Sequence, residues 1–214
     1  MHNFVRKYTK IMETISRFSI IWKEKVGSTN EEMHSLIPEL ESFSVLAALS
    51  QDKGRGQGDH KWHSEGGLNL TFSILVKYDA AHLLKARDQQ LLTMATSLAA
   101  VDFLAENDIE ASIKMPNDIY LKDKKICGML IENGLNGGNM QWSIVGIGLN
   151  VNERDFPEDL PNPVSMSLAT GLTYDIKKCL RGYLRHFSTR FDAIWTEPDV
   201  LKRDYNSKLI SLMQ

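Results

Sequence analysis

The sequence has little cysteine and no long hydrophobic run. Only Cys127 and Cys179 occur among 214 residues. Two distant cysteines exclude a disulfide framework and a zinc cluster, so we expect a reducing compartment. No apolar run reaches the roughly 18 residues of a membrane-spanning helix, and the polar first ten residues lack the apolar part of a signal peptide. These absences favour a cytoplasmic protein with no membrane partner.

The sequence also lacks an excess of charge of either sign. Its 25 basic and 27 acidic residues give a formal net charge of −2, which provides no overall field to attract nucleic acid or an anionic membrane. Any anion-binding site must therefore be local. Hydrophobic residues make up 43% of the chain, enough for one compact core. We expect a single domain over residues 1–214, with its core at about 19–196.

Hydrophobic periodicity predicts seven strands and four helices. The strands are expected at residues 19–25, 42–49, 70–76, 111–114, 119–121, 126–132 and 142–151. The first helix should run from Ser28 to about Leu40, because Ser28 and Glu31 have the spacing of a capping box. A long amphipathic helix is expected at about 80–106, and two more at 176–195 and 198–212. This order predicts an α+β fold, a largely antiparallel mixed sheet with flanking helices.

A glycine-rich segment, GRGQGDHKWHSEGGLN, occupies residues 54–69 between two predicted strands. Its glycines permit positive φ and close approach of backbone N–H groups to a ligand. Arg55 and Lys61 add positive charge suited to a phosphate or carboxylate, and Trp62 offers a flat face for a purine ring. A flexible hairpin connection with solvated cations is the alternative for this segment taken alone.

A second polar cluster, KMPND, begins at Lys114. Pro116 should end the preceding strand, and Asn117 with Asp118 suits a tight turn. A lysine at a strand end can direct a point charge at phosphate oxygens or a developing oxyanion. A solvated lysine at the end of a strand is the alternative.

Four blocks, taken together and in order, resemble the signature of the biotin protein ligases. They are GSTN at 27–30, GRGQGDHKWHSEGGLNL, KMPNDIYLKDKKICGMLIE, and VGIGLNVN. The resemblance covers about residues 20–152. It implies a fold related to class II aminoacyl-tRNA synthetases and lipoate ligases. Because only about twenty residues precede the first core strand, we expect the monofunctional type, without a winged helix-turn-helix and without a DNA partner.

The resemblance implies a two-step reaction at one catalytic domain. The biotin carboxylate attacks the α-phosphorus of ATP in the presence of Mg²⁺, and a lysine of a biotin carboxyl carrier domain then displaces AMP. Biotin and that carrier domain are the expected partners, and a homodimer is allowed. The resemblance leaves the metal ligands unknown.

The resemblance also assigns residues, with Lys114 and Arg55 as the catalytic pair. Biotin is expected to contact Ser28, Thr29, Gln51, Gly54, Arg55, Lys114 and Gly128. ATP and the adenylate are expected to contact Arg55, Gly56, Gln57, His60, Lys61, Trp62 and Asn150, with Gly146 and Gly148 permitting close backbone approach. Ser28 as a helix cap and Gly128 as a simple bulge are the competing interpretations.

Some positions depart from the family pattern. Asp59 brings negative charge near the phosphates, and His60 stands where arginine is common, so we expect adenylate retention to be weaker or to depend more on pH. Met115 replaces a tryptophan. Cys127 has no partnered histidine and is expected to be a buried core thiol. The family usually continues into a β-barrel of roughly fifty residues, which we expect to be absent, with weaker transfer to the acceptor as a result.

Two other functions compete with this one. A lipoate or octanoate ligase of the same fold would use a different glycine block, with an arginine pair and an HD dipeptide, which the sequence lacks. A biotin-binding paralogue without catalysis would keep the ligand contacts and lose turnover. Pyrophosphate release that depends on biotin would exclude the paralogue.

Overall fold

The computed structural model describes residues 12–58 and 60–210, with the backbone alone at 12–15. Asp59, whose charge the sequence placed near the phosphates, lies outside the described residues. The chain forms two compact units, each made of two chain segments: residues 1–86 with 130–148, and residues 87–129 with 149–214. The single catalytic domain with a core at about 19–196 stays a prediction.

The described residues form eight strands and five main helices. The strands are β1 Met12–Ile15, β2 Phe18–Val26, β3 Ser44–Gln51, β4 Leu70–Lys77, β5 Ser112–Lys114, β6 Asp118–Leu121, β7 Lys124–Asn136 and β8 Asn139–Leu149. The helices are α1 Thr29–Leu36, α2 Gln90–Glu106, α3 Met166–Thr170, α4 Ile176–Thr196 and α5 Pro198–Lys208. None of these helices is long and apolar enough to cross a membrane.

The first unit is a sheet with α1 packed on it. The strands of this unit lie in the order β1-β2-β3-β4-β8-β7. Of strand β7, only the part from Leu130 onward belongs to this unit. Strands β2 and β3 run parallel, and β1 with β2 and β3 with β4 run antiparallel. Helix α1 makes the connection between the parallel pair, as such a pair requires. The core under α1 consists of Ile21, Val26, Met33, Leu40, Leu46, Ala48, Leu75 and Ile144.

The second unit packs helices around a small antiparallel sheet. Strand β6 pairs with β5 on one side and with the beginning of β7 on the other. Helix α2 contacts α4, α5, β5 and β6. Tyr183, Phe187 and Phe191 recur every four residues along α4 and are almost fully buried, because side chains at this spacing share one helix face.

The predicted fold class is confirmed, and most element boundaries agree to within two or three residues. One difference lies between β7 and β8, where the gap between the strands expected at 126–132 and 142–151 is reduced to Gly137 and Gly138, and Gly137 has a φ of 61°. Another is helix α3, which the sequence did not predict. Its ends carry ordinary signals, because the Ser165 hydroxyl accepts the Leu168 N–H and Gly171 takes a left-handed conformation.

The long amphipathic helix expected at 80–106 was wrong in extent and in character. Helix α2 begins only at Gln90, because residues 84–86 bridge to the turn between β7 and β8: the Ala86 N–H donates to the Gly138 carbonyl at 2.9 Å, and the Leu84 carbonyl accepts the Met140 N–H at 2.9 Å. The helix is not amphipathic, since ten of its residues are buried, including Thr96 and Ser97. Contacts with two helices and two strands account for burial on more than one face.

The capping box expected at the start of α1 was also wrong. Ser28 has extended backbone angles and is the N-cap, but its side chain makes no capping hydrogen bond. The helix ends at Leu36 instead of about Leu40, because Pro38 has no N–H with which to continue the ladder. A turn then carries the chain to Leu40, whose N–H donates to the Leu36 carbonyl at 3.0 Å.

Candidate active site

A polar pair forms where α1 begins beside the end of β3. The parallel register aligns Val26 with Gln51, so the start of α1 lies next to the Gln51 side chain. The Thr29 N–H donates to Gln51 Oε1 at 2.9 Å. Ser28 and Thr29 are both buried. The structure therefore brings together three of the residues that the sequence assigned to biotin.

The glycine-rich segment forms a small hairpin. The Trp62 N–H donates to the Gly54 carbonyl at 3.0 Å, and the Gly56 N–H donates to the His60 carbonyl at 2.7 Å. Arg55 and Lys61 face each other in a β-bridge. The exposed residues of the hairpin include Gln57, His60 and Lys61. These side chains are accessible to a ligand.

The glycines of this hairpin are needed for two different reasons. A Cβ at Gly54 would lie 2.3 Å from the Trp62 carbonyl oxygen and 2.7 Å from Gln51 Nε2, so a side chain cannot fit there. Only Gly58 among the first three glycines has positive φ, at 62°. The expectation of positive φ is therefore confirmed at one position, and close packing explains Gly54.

The half-buried Trp62 ring packs on the backbone of β8. A Cβ at Gly148 would lie 2.2 Å from Trp62 Cε2. Gly148 thus permits a close approach, which Trp62 makes in this structure, and the close approach of this backbone to the adenylate stays a prediction. A stacking role of Trp62 on adenine stays a prediction.

Two carboxylates bind the guanidinium of Arg55. Its Nη2 lies 3.0 Å from Oε1 and 3.2 Å from Oε2 of Glu132. Its Nε lies 3.4 Å from Glu31 Oε1. Glu31 therefore pairs with the hairpin and does not complete the capping box that the sequence suggested.

Asn30 joins Glu132 to the interior of the first unit. Its Nδ2 donates to Glu132 Oε2 at 2.7 Å and to the Leu130 carbonyl at 3.2 Å. Its Oδ1 accepts from Ser73 Oγ at 2.6 Å, and a Cβ at Gly146 would lie only 2.2 Å from that Oδ1. Sequence reasoning assigned no role to Asn30 or Glu132, although both lie within the quoted blocks.

Lys114, Gly128 and Asn150 belong to the second unit. Lys114 is exposed at the end of β5, and its Nζ lies 3.4 Å from Tyr120 Oη and 4.7 Å from the centre of that ring. Asp118 pairs with Lys114 on one side and with Gly128 on the other. Lys114 and Gly128 are therefore two strands apart, about 10 Å.

Asn150 makes structural hydrogen bonds in the second unit. Its Nδ2 donates to the Val164 carbonyl at 3.0 Å and to the Lys125 carbonyl at 3.5 Å. Both side-chain contacts are to backbone oxygens, so Asn150 fixes the path of the chain after β8. Its hydrogen bond to the adenine edge stays a prediction.

Both cysteines are buried thiols without a disulfide, which confirms the structural role expected of Cys127. Burial raises the pKa of the Cys127 thiol far above its ordinary value. Burial also raises the pKa of Cys179 to about 12. Neither is a thiolate near neutral pH, so neither is suited to nucleophilic catalysis.

Comparison with known protein families gives one match that covers more than half of the chain. The model of the biotin/lipoate A/B protein ligase family matches residues 22–150. This range contains every residue assigned above to biotin, to the adenylate or to catalysis.

Individual relatives resemble the chain over most of its length. The bifunctional ligase/repressor BirA of Bacillus spizizenii is 28% identical over 91% of this chain, which spans 66%, just under two thirds, of that relative. The biotin–[acetyl-CoA-carboxylase] ligase of Paracoccus denitrificans is 30% identical over 59% of this chain and 52% of its own.

A solved structure gives the same result for the fold. The biotin protein ligase of Aquifex aeolicus, in complex with biotin and ATP, superposes with a TM-score of 0.76 at 30% identity and covers 92% of this chain and 80% of its own. Together with the family match, this likeness shows that the chain belongs to the biotin/lipoate A/B protein ligase family.

Proposed function

We propose that this chain is a biotin protein ligase, which forms biotinoyl-5'-AMP from biotin and ATP and transfers the biotinoyl group to a lysine of a biotin carboxyl carrier domain. The observation that carries the proposal is the arrangement in the first unit. There Thr29 and Gln51 are hydrogen-bonded together at 2.9 Å, and the nearby hairpin carries Arg55, Lys61 and Trp62. The names of the Paracoccus and Aquifex relatives support the same substrate.

The polar side chains where α1 begins beside β3 suit the ureido ring of biotin. That ring has two N–H donors and one carbonyl acceptor, and the side chains of Ser28, Thr29 and Gln51 offer hydroxyl and amide groups of both kinds. Burial of Ser28 and Thr29 would strengthen such bonds by keeping water away. Gly54 and Gly128 are the further residues proposed to contact biotin.

The cations suit the first step of the reaction, in which two anions must meet. A carboxylate oxygen of biotin attacks the α-phosphorus of ATP, the bond from that phosphorus to the bridging oxygen breaks, and pyrophosphate leaves. Arg55, Lys61 and Lys114 would offset the repulsion between carboxylate and phosphates. Trp62 would cover the adenine, and Asn150 would bond its edge. Gly56, Gln57 and His60 complete the proposed adenylate contacts.

The glycine hairpin suits the second step, in which the adenylate must be protected from water. The ε-amine of the acceptor lysine attacks the biotinoyl carbonyl carbon, AMP leaves, and the amine proton passes to solvent. A hairpin that covers the mixed anhydride would slow its hydrolysis until the acceptor arrives.

Mg²⁺ would arrive with ATP. The described residues contain no group of three or more His, Cys, Asp or Glu that could hold a metal ion. Mg²⁺ is commonly bound through substrate phosphates with one or two carboxylates, and it would neutralise phosphate charge in the first step. We propose no protein ligand for it.

Labelling of a carrier domain tests this function. The chain is incubated with ATP, Mg²⁺, biotin and an isolated biotin carboxyl carrier domain, and the carrier is weighed by mass spectrometry. We expect one biotinoyl group on the carrier and pyrophosphate release that requires biotin. A carrier whose acceptor lysine is replaced by arginine should remain unlabelled. Absence of both label and pyrophosphate would refute the proposal.

A further inference from the structure

A strand residue far away in sequence anchors the glycine hairpin. The hairpin is hydrogen-bonded to itself through Gly54, Gly56, His60 and Trp62, and Arg55 extends from it to Glu132 on β7, 77 positions later. Both carboxylate oxygens of Glu132 lie within 3.2 Å of Arg55 Nη2. Charge-assisted bonds of this kind fix geometry as well as adding attraction.

Glu132 is itself held in one orientation from inside the first unit. The buried Asn30 donates to its Oε2 at 2.7 Å, and Ser73, fully buried on β4, donates to Asn30 at 2.6 Å. Gly146 leaves the space that the Asn30 amide occupies. Because Ser73 and Asn30 are shielded from water, the hydrogen bond between them is stronger than an exposed one. The chain of contacts runs from Ser73 through Asn30 and Glu132 to Arg55.

We propose that Glu132 is a positioning residue for Arg55, and that through Asn30 it holds the guanidinium and the glycine hairpin ready for adenylation. The inference rests on the proposed role of Arg55 at the biotin carboxylate and α-phosphate. A glycine-rich segment such as this hairpin loses much conformational entropy when it becomes ordered. An anchor present before the substrate arrives lowers the part of this loss that substrate binding must offset.

The geometry favours positioning over competition with the substrate. The contacts to Glu132 and Glu31 use Nη2 and Nε of Arg55. Arginine carries five N–H donors in a planar fork, so Nη1 can donate to a substrate anion while both contacts persist. If Glu132 instead competed with substrate for Arg55, its removal would increase the rate.

A double-mutant cycle tests the proposal. Biotin-dependent pyrophosphate release is measured for the wild type, Glu132→Gln, Arg55→Ala and the double variant. We expect Glu132→Gln to lower kcat/KM for adenylation about tenfold, the range of a charge-assisted hydrogen bond between partly exposed groups. In the Arg55→Ala background the same change should have less than about twofold effect.

Two variants serve as controls. Glu31→Gln removes one carboxylate charge from the other acidic partner of Arg55. The Glu31 side chain is 54% exposed, against 32% for Glu132, and it makes one contact of 3.4 Å with Arg55. We expect less than about threefold loss for this variant, since exposed ion pairs are weak. Glu39→Gln changes an exposed carboxylate after α1 and should leave the rate unchanged.

A second measurement requires no substrate. Trypsin, which cleaves after lysine and arginine, is applied to the folded, ligand-free chain, and cleavage after Lys53, Arg55 and Lys61 is followed. Glu132→Gln should raise the cleavage rate about fivefold, and Glu39→Gln should not, because the anchor limits opening of the hairpin. Urea unfolding of each variant separates this local effect from a global loss of stability.

Two results would overturn the inference: adenylation by Glu132→Gln at or above the wild-type rate, or an equal loss in the presence and absence of Arg55. An unchanged rate of tryptic cleavage would overturn the anchoring role. If the wild type forms no adenylate, the proposed function fails, and the cleavage measurement still decides whether Glu132 holds the hairpin.

Discussion

At the scale of single residues, the two proposed catalytic cations are held in different ways. Lys114 is exposed at a strand end, and its ammonium lies 3.4 Å from the Tyr120 hydroxyl. Arg55 is held by two carboxylates. An exposed ammonium suits transient charge on a transition state, whereas an oriented guanidinium suits a fixed contact.

The first prediction concerns Lys114. We expect Lys114→Ala to lower the rate of adenylation about 100- to 1000-fold, as removal of one preorganised electrostatic donor typically does. The dissociation constant for biotin should change less than about threefold, because the ring contacts remain. Stopped-flow measurement of pyrophosphate release and calorimetric titration of biotin give the two values. Lys124→Ala, at an exposed lysine of β7, is the control, and equal rates in all three proteins would show that the charge is misassigned.

At the scale of secondary-structure elements, one arginine links three helices of the second unit. Arg190 on α4 donates from Nε to Asp102 on α2 at 2.6 Å and from Nη1 to Asp204 on α5 at 2.8 Å. The hydrogen bond from Arg190 lowers the pKa of Asp204. Helices that already share an apolar core gain a specific alignment from such a bridge.

The second prediction concerns this bridge. We expect Arg190→Ala to lower the free energy of unfolding by about 2 kcal/mol, because it leaves two partly buried carboxylates without their cation. Arg203→Ala is the control, since Arg203 is 73% exposed and lies 3.5 Å from Asp204, and should cost less than about 0.5 kcal/mol. Urea unfolding of both variants checks the values, and equal losses would refute the special role of Arg190.

The same bridge has a predictable pH dependence. Asp204 has a lowered pKa in the folded state, so its contribution is present above the unfolded-state value, about 3.9, and is lost as the pH falls through the folded value. The difference in stability between wild type and Arg190→Ala should therefore be largest near pH 6 to 7 and shrink below about pH 4. A difference that is constant from pH 7 to pH 3 would contradict this explanation.

At the scale of the whole molecule, each compact unit is assembled from separated chain segments. The predicted ligand residues are divided between the units, with Ser28 to Trp62 in one and Lys114, Gly128 and Asn150 in the other. Neither unit is a single continuous stretch of the chain. Ligand binding is therefore best followed on the entire chain, through its global unfolding.

The third prediction uses the stabilisation that a bound ligand gives to the folded chain. Biotin at about 100 times its dissociation constant should add about 2.7 kcal/mol to the free energy of unfolding, which raises Tm by roughly 5–10 °C for a chain of this size. Lipoate and octanoate at equal concentration should shift Tm by less than about 1 °C if the ligand is biotin. Differential scanning fluorimetry measures all three. A larger shift with lipoate than with biotin would favour the rival ligase within the family.

Local sequence signals predicted the secondary-structure elements well where interactions between residues near in sequence determine them. The strands around the glycine hairpin, the buried Cys127, and the amino-terminal ends of α4 and α5 followed from alternation, turn residues and apolar spacing. The start of α2 was missed because residues 84–86 bridge to the turn between β7 and β8, and the capping box failed because Glu31 pairs with Arg55. The second of these contacts joins residues 24 positions apart, which no local pattern contains.

The sequence by itself determined where seven of the eight described strands lie along the chain, the glycine-rich segment with its cations, and the residue types available to bind an anion and a polar ring. Only the tertiary structure decided that Asn30 and Glu132, 102 positions apart, are hydrogen-bonded and that Glu132 holds Arg55. The physical reason is that side-chain periodicity and turn chemistry act over a few residues, whereas the placement of β8 beside the distant strand β4, with β7 next to β8, selects which polar side chains meet.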